Sequence, residues 1–163
     1  MQPDVTQEDR PRLRLLDPPA QSNARARRWH PASRARVDES LLYICGDPEG
    51  RIVFTRIARR WESVRLIVAD GGRTGLQVAT KRRPRLVVLD DHIPDFDGAE
   101  LVNHLRRRVL SAESSVIVLS HDPDPRRRAR FVWAGASAYL TKPLNVAEVD
   151  RSIATLLQLS ELR

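Results

Sequence analysis

Five short apolar runs alternate with amphipathic segments from Leu41 onward, and this alternation constrains the fold more than any other feature of the 163-residue chain. Stretches such as Val-Val-Leu (87–89) and Val-Ile-Val (116–118) are apolar throughout, as strands of a sheet covered on both faces must be. Strands that alternate with helices predict parallel β-α-β units, and so an α/β, doubly wound fold. The predicted strands are 41–45, 64–69, 85–90, 115–120 and 137–140.

The helices between these strands are predicted from capping residues and helical spacing. Asp47 and Pro48 form a helix start, with Asp as the cap and Pro at the first helical position. This helix is predicted to run to about Trp61, with Ile52, Ile57 and Trp61 on its buried face. The other predicted helices pass through 76–79 and end before Pro84, run from about 98 to 109, from 126 to 133, and from 146 to about 159.

The first 39 residues differ from the rest of the chain, because they are rich in proline and arginine and hold few large apolar side chains. Such a segment cannot bury enough surface to offset the entropy lost on ordering. We predict a disordered arm over residues 1–39 and a folded domain over residues 40–163. The sequence has no run of about 20 apolar residues and no apolar signal core, and its single cysteine excludes an internal disulfide framework. We therefore expect a cytoplasmic protein.

Four of the predicted strands bring small or polar residues to one edge of the sheet. The carboxyl ends of parallel strands meet there, and ligands of doubly wound sheets bind beyond them. The sequence therefore predicts a site at this edge, with Asp91 pointing away from Asp90 because neighbouring side chains of a strand face opposite ways. The residues at the four ends are Cys45-Gly46-Asp47, Asp90-Asp91, Ser120-His121 and Thr141-Lys142.

The segment LVVLDDHIPDFDG (86–98) resembles a motif of the bacterial two-component response regulator receiver (CheY-like) domains. In that family an apolar strand ends at a phosphoacceptor Asp, and a loop of the form Met-Pro-x-x-Asp-Gly follows. The resemblance covers about residues 40–160, with a hydroxyl residue after the fourth strand's apolar run and Lys-Pro after the fifth strand. It implies the flavodoxin-like (βα)5 fold, with a five-stranded parallel sheet in the order 2-1-3-4-5.

The resemblance also assigns roles to single residues. Asp90 would be the phosphoacceptor, with Ser120 and Lys142 in contact with the phosphoryl group. Ser120 and Tyr139 would form the conformational switch, and Pro143 would follow a cis peptide bond. An acyl phosphate on Asp90 would carry nearly two negative charges, which suits the point charge of Lys142. Movement of Ser120 would let Tyr139 fill the space beside it and would alter the face formed by the fourth helix and fifth strand.

The chain departs from the family at the end of the first strand, where two acidic residues organise Mg²⁺ in receiver domains. These positions are Cys45 and Gly46 here, and neither offers a carboxylate. Mg²⁺ requires near-octahedral oxygen ligation, and the remaining ligands would be Asp90 and the backbone carbonyl of His92. Asp47 lies one residue late and is predicted to cap the helix, with metal binding through a water molecule as the alternative. We therefore expect Mg²⁺ binding to be weak or absent.

The functional prediction is a signalling module and not an enzyme. No segment long enough for an output domain follows the last helix, so we expect a stand-alone receiver that acts through a histidine kinase, a phosphotransfer protein or a downstream target. The favoured interpretation is an atypical receiver that works through protein contacts with weak or absent Mg²⁺-dependent phosphorylation. The alternative is a conventional receiver that a histidine kinase phosphorylates on Asp90.

The fourth helix carries arginines, including Arg127 and Arg128, next to Tyr139. They predict an acidic partner surface there, and the face formed by the fourth helix, fifth strand and fifth helix would also support a homodimer.

Three other classes of protein fit the sequence less well. A haloacid-dehalogenase-type phosphotransferase needs a second carboxylate two residues after its first, where this chain has His92. A dinucleotide or flavin binder needs a Gly-x-Gly-x-x-Gly turn, which CGDPEGR (45–51) lacks. The net charge of +7 and the arginine runs 106–108 and 126–130 leave a basic nucleic-acid-associated protein as a second alternative. The sequence shows no pair of recognition helices after the last predicted helix, so specific DNA binding is not expected.

Overall fold

The computed structural model describes residues 39–159. Its elements are β1 (Glu39–Ile44), α1 (Pro48–Ala58), β2 (Val64–Ala69), α2 (Gly72–Arg82), β3 (Leu86–Asp90), α3 (Gly98–His104), β4 (Ser115–Ser120), α4 (Pro125–Ala134), β5 (Ala138–Thr141) and α5 (Val146–Leu157). The strands form one parallel sheet in the order β2-β1-β3-β4-β5, so the predicted fold class and strand order are confirmed. The arm predicted over residues 1–39 lies, apart from Glu39 in β1, outside the described residues.

The sheet is covered on both faces, as its uniformly apolar strands require. One face, with Leu42 and Val118, packs against α2, α3 and α4. The opposite face, with Leu41 and Leu119, packs against α1 and α5. Each of these four side chains is completely buried, and burial of one such side chain stabilises the fold by about 1.5–3 kcal/mol. The sheet is thus packed between two apolar cores. The carboxyl ends of β1, β3, β4 and β5 lie together along one edge of it, which we call the upper edge.

The buried face of α1 differs from the predicted one. Ile52 is 56% exposed, whereas Phe54 and Ala58 are buried and Ile57 is half-buried. Ile52 precedes Ile57 by five residues, which rotates it by about 140° around a helix of 3.6 residues per turn. The helix also ends at Ala58, and Trp61 follows it but is still buried, with its ring against the edge of Phe54.

The helix predicted to continue from α3 changes its form after His104. Leu105–Val109 makes a π-helical turn, in which Arg106 donates to the backbone carbonyls of Ser114 (2.5 Å) and Gly135 (2.8 Å). Gly135 ends α4 with φ at 107°, in the left-handed region, and a Cβ atom there would lie 2.8 Å from Cγ of Arg106. Glycine is therefore required at this turn.

Among residues 39–159, no helix has the length and apolar character needed to cross a membrane.

Candidate functional site

Asp90 and Lys142 form an ion pair at the upper edge of the sheet. Asp90 ends β3 and is 2% exposed, and Nζ of Lys142 donates to its Oδ2 atom. The backbone N–H of Lys142 donates to the carbonyl of Ser120 at 2.7 Å, which holds the residue after β5 beside the end of β4. The peptide bond between Lys142 and Pro143 is cis. The fold thus places an ammonium group against the carboxylate that the sequence marks as the phosphoacceptor.

Ser120 is fully buried at the end of β4, but its hydroxyl forms a hydrogen bond with the carboxylate of Asp91 and not with that of Asp90. Ser120 Oγ donates to Oδ2 of Asp91 at 2.5 Å and accepts from the backbone N–H of Asp122 at 3.0 Å. Asp91 also accepts from Nε of Arg127 in α4 at 2.9 Å. These partners agree with the expectation that Asp91 turns away from Asp90. The predicted phosphate ligand Ser120 follows Leu119, the residue that pairs with Asp90 in the sheet. Its hydroxyl is engaged by Asp91 and not by Asp90.

Tyr139 lies in β5 with only 5% of its surface exposed. Its hydroxyl donates to the carbonyl of Asp122 at 2.7 Å. Its ring is tilted against Phe131, with centroids 5.8 Å apart, and the Arg128 guanidinium lies 5.6 Å from its centroid. The predicted switch residues Ser120 and Tyr139 thus share Asp122 as a hydrogen-bonding partner, through its N–H and its carbonyl group.

Cys45 occupies the first of the two positions where the receiver family carries acidic residues. Its thiol is buried and donates to Oδ2 of Asp90 at 3.7 Å and to the carbonyl of Asp47 at 3.4 Å. Burial raises the pKa of the Cys45 thiol, and the charge of Asp90 acts in the same direction. A neutral thiol donates a weak hydrogen bond to Asp90 and is a poor ligand for a hard cation such as Mg²⁺.

Gly46 occupies the second acidic position, and the space beside it is filled. A Cβ atom on Gly46 would lie 2.4 Å from Cδ of Pro94, which belongs to the loop after β3. A carboxylate could not be carried at this position without displacement of Pro94. The carbonyl groups of Cys45 and Gly46 are also engaged, since Nη1 of Arg51 donates to them at 2.9 and 3.1 Å.

Asp47 caps α1, as predicted, and both of its carboxylate oxygens are used in doing so. They accept from the backbone N–H groups of Glu49 at 3.2 Å and Gly50 at 2.7 Å. In His92, the backbone N–H donates to Oδ1 of Asp90 at 3.3 Å. Within residues 39–159, no group of three or more His, Cys, Asp or Glu side chains could hold a metal ion. The donor set around Asp90 therefore does not fit the Mg²⁺ site that the fold family implies.

Three participants in the site were not assigned a role from the sequence. Asp91 binds the switch hydroxyl, Pro94 covers Gly46, and Arg51 binds the carbonyl groups at the end of β1. The double aspartate at the end of an apolar run was the one signal that could have identified Asp91. Pro94 and Arg51 act through contacts between loops, which leave no periodic signal in a single sequence.

Comparison with known proteins places this geometry in a family. Residues 46–154 match the model of the response regulator receiver domain. The chain is 32% identical over 105 residues to the KDP operon transcriptional regulatory protein KdpE of Escherichia coli K12, over 64% of this chain and 45% of that protein. The chain spans about half the length of the curated relatives it matches.

Solved structures show the same fold at low sequence identity. A CheY-like receiver domain protein from Methanospirillum hungatei matches with a TM-score of 0.65 and 22% identity, over 74% of this chain and 94% of that one. The receiver domain of a sensor histidine kinase from Pseudomonas aeruginosa, solved with a magnesium ion coordinated in its active-site cleft, matches with a TM-score of 0.67 and 21% identity, over 74% and 98%. With its strand order, its Asp90–Lys142 pair and a family match across residues 46–154, the chain belongs to the response regulator receiver domain family.

Proposed function

We propose that this receiver domain signals through protein contacts and that Mg²⁺-dependent phosphorylation of Asp90 is weak or absent. Receiver domains work in two-component phosphorelay signalling, where they interact with histidine kinases and downstream effectors. The observation that carries the proposal is that other protein groups occupy the space of the family's two acidic metal ligands. Pro94 lies against Gly46, and the neutral thiol of Cys45 lies against Asp90.

Charge balance at Asp90 supports the same proposal. Phosphoryl transfer depends on cations that neutralise the charge developing on the phosphoryl oxygens. Lys142 supplies one positive charge, and the carboxylate of Asp90 already balances it. Cys45 and Gly46 add no carboxylate that could recruit a second cation. Transfer to Asp90 would therefore proceed without the electrostatic assistance that a bound Mg²⁺ provides.

Intact-mass analysis after incubation with acetyl phosphate, with and without Mg²⁺, tests the proposal. We expect little or no phosphorylated species and little dependence on Mg²⁺. Asp90→Ala serves as the variant without an acceptor. Asp95→Ala serves as a matched control, because Asp95 lies in the same loop but caps α2 by accepting from the N–H groups of Gly72 (2.8 Å) and Arg73 (3.0 Å). Stoichiometric, Mg²⁺-dependent phosphorylation that Asp90→Ala abolishes and Asp95→Ala retains would refute the proposal.

That refuting result would favour the alternative, a conventional receiver that a histidine kinase phosphorylates on Asp90. The observation that favours this alternative is the intact pair of Asp90 and Lys142 with a cis bond before Pro143. A phosphoryl group on Asp90 would stay within reach of the Lys142 ammonium, which is a suitable partner for a phosphate oxygen.

The proposed partner surface lies on α4. Trp133 is 89% exposed and Val132 is 54% exposed, and Arg126 is exposed on the same helix. Arg127 is tied to Asp91, and so contributes less free charge than the sequence suggests. An apolar anchor beside positive charge fits an acidic partner that also carries an aromatic-binding pocket.

Substitutions on α4 test this surface. We expect Trp133→Ala and Arg126→Glu to weaken binding of a partner recovered with the wild-type chain, and Arg56→Glu on α1 to serve as the charge-matched control. Unchanged binding by both α4 variants would count against the surface. A homodimer through α4, β5 and α5 stays a prediction, and sedimentation equilibrium would detect it.

The net charge of +7 is the observation that favours nucleic-acid association as a second candidate. Several arginines of the basic runs already have partners within the domain: Arg106 binds backbone carbonyls, Arg127 binds Asp91, and Arg130 forms an exposed pair with Asp97. We therefore expect weak binding that falls steeply with added salt. Tight binding to DNA or RNA at physiological salt would favour the second candidate.

A further inference from the structure

Asp91 supplies a carboxylate to the hydroxyl group that a phosphoryl group would recruit in a receiver domain. The Asp91 side chain is 8% exposed and Ser120 is completely buried, and their oxygens lie 2.5 Å apart. A hydrogen bond to an ionised carboxylate is about twice as strong as one between neutral groups. The anion that holds Ser120 in this protein is therefore part of the protein itself.

The bond at Ser120 continues as an unbroken path to Tyr139. Ser120 Oγ accepts from the N–H of Asp122 at 3.0 Å, and the carbonyl of Asp122 accepts from the Tyr139 hydroxyl at 2.7 Å. Both switch residues are therefore held by the same backbone segment. Any anion that fixes the Ser120 hydroxyl also fixes the position of the carbonyl group that retains the tyrosine.

Arg127 connects this path to α4. Its Nε atom donates to the same Asp91 oxygen, Oδ2, at 2.9 Å, and its guanidinium lies 5.7 Å from the centroid of Phe131, the ring against which Tyr139 packs. One carboxylate oxygen thus joins the end of β3, the end of β4 and the first turn of α4. The guanidinium of Arg127 holds the Asp91 side chain in place and gives this largely buried carboxylate a partner of opposite charge.

We propose that Asp91 acts as an internal anion that takes the place of a phosphoryl group at Ser120 and holds Tyr139 in its buried position without phosphorylation. The inference rests on the proposed function. It explains how a receiver with little phosphorylation presents one fixed conformation of the α4 and β5 face to a partner. Removal of the Asp91 carboxylate leaves Ser120 without its acceptor and releases the Asp122 segment, and Tyr139 then becomes exposed to solvent.

Fluorine NMR of protein labelled with 3-fluorotyrosine tests the inference. The chain has two tyrosines, Tyr43 and Tyr139, and Tyr43 is 1% exposed, which makes it an internal reference for a buried ring. Solvent exposure is measured from the change in chemical shift between H₂O and D₂O. In the wild type we expect both signals to behave as buried. In Asp91→Ala we expect the exposed fraction of Tyr139 to rise about tenfold, the change for loss of one hydrogen bond to a charged group.

The Asp95→Ala variant is the matched control and should leave the Tyr139 signal as in the wild type. Ser120→Ala breaks the same path one bond later, so we expect the same exposure of Tyr139 from a protein that keeps the Asp91 pair with Arg127. If Asp91→Ala fails to fold, Ser120→Ala decides the question. A buried Tyr139 in the folded variants would overturn the inference. The spectra need no phosphodonor, so strong phosphorylation in the mass experiment would refute the proposed function without deciding this result.

Discussion

Replacement of Lys142 by methionine would leave the carboxylate of Asp90 buried without an opposite charge. The Asp90 side chain is 4% exposed and the Lys142 side chain is 15% exposed, so water can compensate little of the loss. Removal of one partner from a buried ion pair costs about 3–5 kcal/mol. Because Lys142 keeps some contact with solvent and methionine retains most of its apolar stem, we expect the lower end of this range, about 3 kcal/mol.

Urea unfolding of the wild type, Lys142→Met, Asp90→Asn and the double variant at neutral pH measures this effect. Once Asp90 is neutral, loss of the ammonium leaves no buried charge unpaired, and Lys142→Met should then cost less than about 1 kcal/mol. The expected coupling energy is therefore about 2 kcal/mol, within the range for residues in contact. An equal cost of Lys142→Met in both backgrounds would refute the argument that the two side chains act as a pair.

Three further predictions concern residues near this edge of the sheet. Burial raises the pKa of the Cys45 thiol above its ordinary value of 9.0. Above about pH 9 the unfolded chain therefore loses the thiol proton, whereas the folded chain keeps it. Above about pH 9 the wild type should lose stability by up to about 1.4 kcal/mol per pH unit relative to Cys45→Ala, and equal slopes in urea unfolding would contradict this. Gly135→Ala forces a side chain into φ 107° and against Arg106, and should lower the free energy of unfolding by about 2 kcal/mol; an unchanged value would remove the requirement for glycine. Asp47→Ala should lower it by about 1 kcal/mol through loss of the α1 cap, whereas a changed response to Mg²⁺ in this variant would show that Asp47 also serves a metal.

The sheet could be predicted from the sequence because its signal is local. β2 and β4 have the predicted bounds of 64–69 and 115–120, since an apolar run followed by polar residues marks where a buried strand reaches the edge of the sheet. The helix α1 was predicted with the wrong face because Ile52 and Val53 are apolar yet exposed. A single sequence does not distinguish an apolar residue in the core from one on the surface.

The site could be predicted only in part, because its parts come from distant positions. The predicted strand ends placed Asp90 and Lys142 at one edge of the sheet, and the resemblance to receiver domains assigned their roles. The fold brings the two side chains into contact. The contact of Pro94 with Gly46 depends on how two loops approach each other, and no property of either residue type indicates it. The partner of Ser120 was likewise not predictable, since the choice between two adjacent aspartates is made by side-chain direction at the end of β3.

The central claim is that the site around Asp90 binds Mg²⁺ weakly or not at all, and an NMR titration tests it most directly. The backbone amides of Cys45, Gly46 and Asp91 lie near Asp90, so their NMR signals would report a metal bound there. We predict that these signals show no saturable change as Mg²⁺ rises into the millimolar range, in the wild type as in Asp90→Asn. Saturable changes at these amides in the wild type that disappear in Asp90→Asn would contradict the account.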